Sequence, residues 1–160
     1  MLKAIIFDLG DTLVPTQGEV RTFPNVKKVL NELKLRYKLA IICNANTATL
    51  EKVKEILRET KILHFFETVV VSTDVGYSKP DTNIFRITLE KLNVESNEAI
   101  MVGNRISTDI LGGNTMGMVT VLVKLKGTSQ GKVICKLEKP DYTIQSLKEL
   151  NSTIKRIEKN

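Results

Sequence analysis

Short aliphatic runs alternate along the chain with stretches in which apolar residues recur at helical spacing. The runs contain many β-branched and aliphatic side chains and little polar alternation, as expected for strands that are buried on both faces. They predict five strands, over residues 3–7, 38–43, 69–72, 99–102 and 120–123. Strands that alternate with helices in this way are typical of a parallel sheet covered by helices.

Helical periodicity appears in four segments. Three of them carry apolar stripes, formed by Val26, Val29, Leu30 and Leu33, by Leu50, Val53 and Leu57, and by Phe85, Leu89 and Leu92. The fourth opens at Ser146 with a capping-box pattern and continues through Ile154. Residues 124–139 mix Gly, Lys and Ser and predict a long loop. Together the elements predict a three-layer doubly wound (Rossmann-like) α/β fold, formed by a single domain over residues 1–160.

The composition narrows the classes of function. The formal net charge is +6, but the lysines are spread along helix faces and only 5% of the residues are aromatic, so we expect no specific nucleic-acid binding. No apolar run is long enough to span a membrane or to form a signal peptide, and two cysteines do not make a disulfide scaffold; a cytoplasmic protein is expected. With His64 as the only histidine, multi-histidine zinc sites are excluded, and the chemistry must come mainly from carboxylates, lysines and hydroxyls.

Unusual polar residues stand where the predicted strands end. Four segments share this position: Asp8–Thr12 after the first strand, Cys43–Asn44 after the second, Lys79–Pro80 in the loop after the third, and Gly103–Asp109 after the fourth. In an open parallel sheet, ligands bind at the carboxyl ends of the strands. A carboxylate, a lysine and oxygen ligands gathered there suit phosphoryl transfer.

The order and spacing of these four segments resembles the motifs of the haloacid-dehalogenase-like (HAD) superfamily, and the resemblance covers nearly the whole chain. It implies a Mg²⁺-dependent phosphohydrolase that acts through an aspartyl-phosphate intermediate on Asp8. Lys79 would be the second catalytic residue, and Cys43, Asn44 and Lys79 would bind phosphate. The implied Mg²⁺ ligands are Asp8, Gly10, Asn104 and Asp109.

Three positions depart from the pattern of that superfamily. Gly10 replaces the usual second Asp, which protonates the leaving group, and a glycine also permits backbone angles that other residues avoid. Asp11 follows it, but one step along an extended segment turns the side chain to the other face. Cys43 replaces a Ser or Thr and is a weaker donor. Asn104 replaces an Asp, which lowers the charge offered to Mg²⁺.

About 30 residues separate Asp8 from Cys43, too few for the lid that related enzymes often insert there. The sequence thus predicts a HAD-like core without a cap and an open site, suited to a large phosphorylated substrate or to a partner subunit that serves as the lid in a homo-oligomer. Two other readings stay open. The chain is a catalytically degenerate phosphate-binding or interaction module, or it is a dehalogenase, which would need the helical cap and halide pocket that are absent here.

Overall fold

The computed structural model describes all residues from Met1 to Asn160. Six strands and six α-helices follow one another in the order β1 Ala4–Phe7, α1 Val26–Lys34, β2 Lys38–Cys43, α2 Leu50–Glu59, β3 Thr68–Val71, α3 Ser72–Val75, α4 Thr82–Leu92, β4 Ala99–Gly103, α5 Leu111–Thr115, β5 Val119–Val123, β6 Tyr142–Ile144 and α6 Leu150–Ile157. Short 3₁₀ turns and one π-helical turn, Ile106–Ile110, join some of them. No helix is both long and apolar enough to cross a bilayer.

The six strands form one parallel sheet in the order β3-β2-β1-β4-β5-β6. The α/β class and the parallel sheet predicted from the sequence are therefore confirmed. β1 lies between β2 and β4, so that Phe7 is opposite Ile41 on one side and Val102 on the other. The predicted third strand is shifted by one residue, because Ser72 already begins α3. The edge strand β6 was not predicted.

Alternate residues of each strand pack against helices on opposite faces of the sheet. In β1, Ile5 and Phe7 belong to a cluster of 25 buried residues that includes the stripes of α1, α2 and α6. Ala4 and Ile6 belong to a second cluster of 13, which contains the stripe of α4. This division of a single strand between two cores is what makes the fold three-layered, and it explains why the strands read as continuous apolar runs.

Helix α5 approaches the second face closely because it contains two adjacent glycines. A Cβ on Gly112 would lie 2.3 Å from the ring of Phe85, and one on Gly113 would lie 2.7 Å from the Thr120 methyl group. The turn that precedes α5 is thereby held tightly at the end of β4. That turn carries the predicted site residue Asp109, and Asn104 lies just before it.

Candidate active site

The predicted site residues meet at the carboxyl ends of β1, β2 and β4. These strands are neighbours in the sheet, so the residues that follow them converge. Asp8 comes directly after β1, and its backbone N–H donates to the Val102 carbonyl of β4 at 2.9 Å. Cys43 ends β2 and Asn104 follows β4. Motifs that are far apart in the sequence thus form one cluster at this edge of the sheet.

Lys79 joins the cluster from the loop after α3 and is bound on all three of its N–H groups. Its Nζ lies 2.8 Å from Asp8 Oδ1, 2.7 Å from Asp109 Oδ1 and 2.9 Å from the Ile42 carbonyl. The side chains of Lys79 and Asp109 are each 1% exposed, whereas that of Asp8 is 13% exposed. Lys79 is therefore fully engaged, and Asp8 is the member of the trio that a ligand can reach.

The charged side chains of this trio shift one another's pKa values. Burial alone would lower the pKa of Lys79, but the carboxylates of Asp109 and Asp8 outweigh it and raise that pKa above its ordinary value. Burial and then the charge of Asp8 raise the pKa of Asp109 to about 6, although Lys79 opposes the shift. Such coupled shifts in a cleft are characteristic of functional sites, and here they keep Lys79 positively charged beside Asp8.

Asp109 is held in place by the turn that carries it. Its Oδ2 accepts the Arg105 backbone N–H at 3.0 Å, while its Oδ1 accepts from Lys79. The carboxylate lies against Gly103, where an added Cβ would come within 2.3 Å of Asp109 Oδ2. Both oxygens of Asp109 thus have protein partners, and its main contact is with the lysine.

Asn44 contacts Lys79 with both ends of its amide. Its side-chain N–H donates to the Lys79 carbonyl at 2.9 Å, and its side-chain oxygen accepts the Lys79 backbone N–H at 2.8 Å. In this structure Asn44 therefore positions the lysine loop. Phosphate binding by the Asn44 side chain, expected from the resemblance, stays a prediction.

Oxygen atoms converge beside Asp8 at the predicted metal position. With one orientation of the Asn104 amide, its oxygen lies 3.0 Å from Asp8 Oδ2 and 3.3 Å from the Gly10 carbonyl, and none of these atoms is a donor to the others. Such a group of oxygens fits a hard cation such as Mg²⁺. In the other orientation the Asn104 amide nitrogen donates to both acceptors and satisfies them by itself. The donor set thus fits Mg²⁺, with one carboxylate where two would bind it more tightly.

The residues after Asp8 explain why Asp11 does not take the place of an acid at Gly10. Asp11 has a left-handed backbone, with φ of 58°, and its carboxylate accepts hydrogen bonds at 3.0 Å from both the backbone N–H and the hydroxyl of Thr16. Gly10 has no left-handed φ. A Cβ at Gly10 would instead lie 2.7 Å from the Thr16 methyl group. The conformational reason suggested for this glycine is therefore wrong, and the restriction is steric.

A cavity of about 730 Å³ opens onto the cluster and is lined by Asp8, Gly10, Cys43, Asn44 and Lys79, among others. Burial, chiefly, raises the pKa of the Cys43 thiol to about 11. The thiol stays neutral at physiological pH, so it does not repel an anion in the cavity. As a hydrogen-bond donor it is weak.

Two further residues, Thr12 and Arg105, lie at the site, and neither of them was assigned a role from the sequence. The Thr12 hydroxyl is completely buried and donates to Asp8 Oδ2 at 3.1 Å, which helps to fix the carboxylate. Arg105 lines the cavity, is exposed, and its guanidinium makes no hydrogen bond or salt bridge within the chain. Both lie inside the motifs quoted above. A buried hydroxyl four residues after Asp8, and a cation directly after Asn104, were the available signals.

Comparison with known proteins agrees with this geometry. Residues 13–123 match the family described as haloacid dehalogenase-like hydrolase. A glyceraldehyde 3-phosphate phosphatase of Methanothermobacter thermautotrophicus is 37% identical over 105 residues, which cover 65% of this chain and 45% of that protein. The chain spans about half the length of the curated relatives it matches.

Solved structures show the same fold. A protein from Listeria monocytogenes serotype 4b, described as uncharacterized, superposes with a TM-score of 0.87 and 29% identity over 99% of this chain and 100% of that chain. A HAD phosphatase from Thermococcus onnurineus gives a TM-score of 0.70 and 31% identity over 83% of this chain and 58% of that chain. With its motifs, sheet order and relatives in agreement, the chain belongs to the haloacid dehalogenase-like hydrolase family.

Proposed function

We propose that the protein is a Mg²⁺-dependent phosphohydrolase in which Asp8 is the nucleophile. The observation that carries this proposal is the trio of Asp8, Lys79 and Asp109, joined at 2.8 and 2.7 Å, of which Asp8 lines the cavity and is the most exposed member. A carboxylate fixed beside a buried ammonium can attack a phosphorus atom, while the ammonium attracts the phosphoryl oxygens. The phosphatase names of several relatives support the same class of reaction.

Each residue of the cluster has a distinct task in this proposal. An oxygen of Asp8 attacks the phosphorus, the P–O bond to the leaving group breaks, and an aspartyl-phosphate forms. Water then releases inorganic phosphate and restores the Asp8 carboxylate. Lys79 holds Asp8 in position and neutralises charge on the transferring group. Asp109 and Asn44 hold Lys79 in turn, one at its Nζ and the other at its main chain. Arg105 offers the incoming phosphate a second positive charge at the cavity surface.

The side chains of Asp8 and Asn104 and the carbonyl of Gly10 would hold Mg²⁺, because their oxygens converge. The resemblance adds Asp109, which we propose acts there through its charge. When bound, Mg²⁺ would neutralise the developing negative charge of the phosphoryl oxygens. The single carboxylate in direct reach predicts weaker binding of the ion than a site with two.

Asp8→Asn tests the proposal. We expect Mg²⁺-dependent phosphate release from an activated aryl phosphate to fall to background, because an amide is not a nucleophile. The matched control is Asp11→Asn, which also removes a carboxylate from the same loop; asparagine tolerates the left-handed backbone at this position. This control should keep its turnover. Wild-type rates in purified Asp8→Asn protein would contradict the covalent mechanism.

One observation favours a second function, that of a phosphate-binding module with little turnover. The Asn104 amide can satisfy Asp8 Oδ2 and the Gly10 carbonyl without any ion. A site completed in that way could bind an anion through the exposed guanidinium of Arg105 and perform no chemistry. Two results together would favour this second function. Titration calorimetry would show that inorganic phosphate binds in the absence of Mg²⁺, and none of the phosphate esters tested would be turned over.

A further inference from the structure

The lining of the cavity beside Asp8 consists of two chemically different parts. One part carries the polar and charged residues of the site, including Asp8, Lys79 and Arg105. The other is apolar and is formed by Val14, Pro15 and Val20 of the loop after β1 and by Val53 and Ile56 of α2. A phosphate bound at Asp8 would therefore have an apolar surface within the same cavity for the group to which it is esterified.

The cavity lining offers no proton donor that suits an alcohol leaving group. Lys79 is buried and donates its three N–H groups to Asp8, Asp109 and the Ile42 carbonyl, so none of them is free to approach a leaving group. The guanidinium of Arg105 does not give up a proton in proteins. The pKa of Cys43 is raised to about 11, far from the near-neutral value that suits a general acid.

The remaining acidic groups are poorly placed. Glu19 lines the cavity but is exposed, and no hydrogen bond holds its carboxyl group in position. Asp11 is bound by Thr16 and is not part of the lining. An alkoxide leaving group would thus depart without a proton, which typically costs a factor of about 10²–10⁴ in rate.

We propose that the cavity selects aryl and acyl phosphates, in which the phosphoryl group is joined to an apolar body that leaves as a stable anion. This substrate class rests on the proposed function. The P–O bond to the leaving group breaks as the Asp8 oxygen bonds to phosphorus, and the phenolate or carboxylate departs with the electron pair and needs no proton. Water then cleaves the aspartyl-phosphate, which restores the Asp8 carboxylate and releases inorganic phosphate, and the protons of the water pass to the phosphate and to solvent.

Three compounds test the preference for the leaving group and the preference for an apolar body separately. Phenyl phosphate and cyclohexyl phosphate have apolar bodies of similar size but leave as a phenolate and an alkoxide, respectively. Acetyl phosphate leaves as a carboxylate and has almost no apolar body. With wild-type protein and Mg²⁺, we expect kcat/KM for phenyl phosphate to exceed that for cyclohexyl phosphate by about 10²-fold or more.

Val20→Asp tests the apolar part of the lining. Val20 is 47% exposed, so the fold should tolerate the change, and a charge there should lower the ratio of kcat/KM for phenyl over acetyl phosphate by about fivefold. The matched control is Val133→Asp, since Val133 is 49% exposed and lies outside the cavity lining. That variant should leave the ratio unchanged.

The outcomes distinguish this inference from the function on which it rests. Equal rates for phenyl and cyclohexyl phosphate, with phosphate release still dependent on Asp8, would overturn the substrate class and leave the phosphohydrolase intact. An unchanged phenyl-to-acetyl ratio in Val20→Asp would also overturn it. Failure to turn over any of the three compounds, acetyl phosphate included, would overturn both proposals.

Discussion

The region of the site around Lys79 and the region around Gly10 differ in the charge of their groups. Both regions lie at the carboxyl edge of the sheet. The lysine half, formed by Asp8, Lys79 and Asp109, contains three charged side chains in direct contact. The neutral half is formed by Gly10 and Asn104, and in it the Asn104 amide lies 3.0 Å from Asp8 Oδ2 and 3.3 Å from the Gly10 carbonyl. In the proposed mechanism, positioning the nucleophile and assisting the leaving group are separate requirements. The chain has charged residues for the first requirement, and at the position proposed for the second it has Gly10, which carries no acid.

The largest effect is expected for Lys79→Met, which breaks the lysine half. Two buried carboxylates would lose their shared cation, and leaving such charges unpaired typically costs about 3–5 kcal/mol. We expect a loss of this size in the free energy of unfolding, measured with urea, together with complete loss of phosphate release. Lys52→Met, at a lysine that is 63% exposed, serves as the control and should change stability little.

A double variant separates the effect of the lysine half on stability from its effect on activity. Adding Asp109→Asn to Lys79→Met removes one of the two unpaired carboxylates. Part of the lost stability should return, but activity should not, because the ammonium beside Asp8 is still missing. If Lys79→Met unfolds at the urea concentration of the wild type, the trio does not stabilise the fold as described.

The next largest effect is expected from restoring an acid to the neutral half. Gly10→Asp combined with Thr16→Ser removes the methyl group that an added Cβ would meet and keeps the hydroxyl that donates to Asp11. General-acid assistance should then raise kcat/KM for cyclohexyl phosphate by about 10²-fold or more. Phenyl phosphate should gain far less, since its leaving group needs no proton.

Thr16→Ser alone is the control for that double variant, and its leaving-group dependence should match that of the wild type. A wild-type enzyme whose rates are already independent of the leaving group would show that another residue supplies the proton. In that case Glu19→Gln identifies whether the exposed carboxyl of the cavity is the donor.

The smallest effect is expected for Asn104→Asp, which adds charge to the predicted metal position. Mg²⁺ affinity measured by titration calorimetry should increase about tenfold, or about 1.4 kcal/mol. Asn46→Asp places the same charge change at an exposed residue of the cavity lining and should not reproduce the gain. Unchanged affinity in Asn104→Asp would place this residue outside the shell of metal ligands.

Local patterns predicted most of the fold because most elements are long enough to carry them. The stripes of α1 and α4 and the apolar runs of β1 and β2 were recognised from spacing alone. β6 was missed because Tyr142–Ile144 has only three residues and pairs with a single neighbour, β5. Ser146 and Glu149 do cap the last helical segment, although Glu149 accepts from Gln145 instead of Ser146.

The sequence predicted which residues meet at the site better than it predicted the contacts between them. Asp8, Lys79 and Asp109 follow strand ends, and topology brings such residues together. The engagement of the Asn44 amide with the Lys79 main chain joins residues 35 positions apart, and no local pattern encodes it. The steric conflict between Gly10 and Thr16 likewise depends on the path of the loop after β1, which the left-handed backbone of Asp11 helps to set.

The most direct test of the comparison between the two halves is the trapping of phosphorylated Asp8. Protein mixed with Mg²⁺ and either phenyl or cyclohexyl phosphate is quenched in acid within one turnover, and its peptides are analysed by mass spectrometry. We predict a phosphoryl group on the peptide that contains Asp8 with phenyl phosphate, and at most a trace with cyclohexyl phosphate. Equal labelling by the two compounds, or labelling of a different residue, would contradict the account.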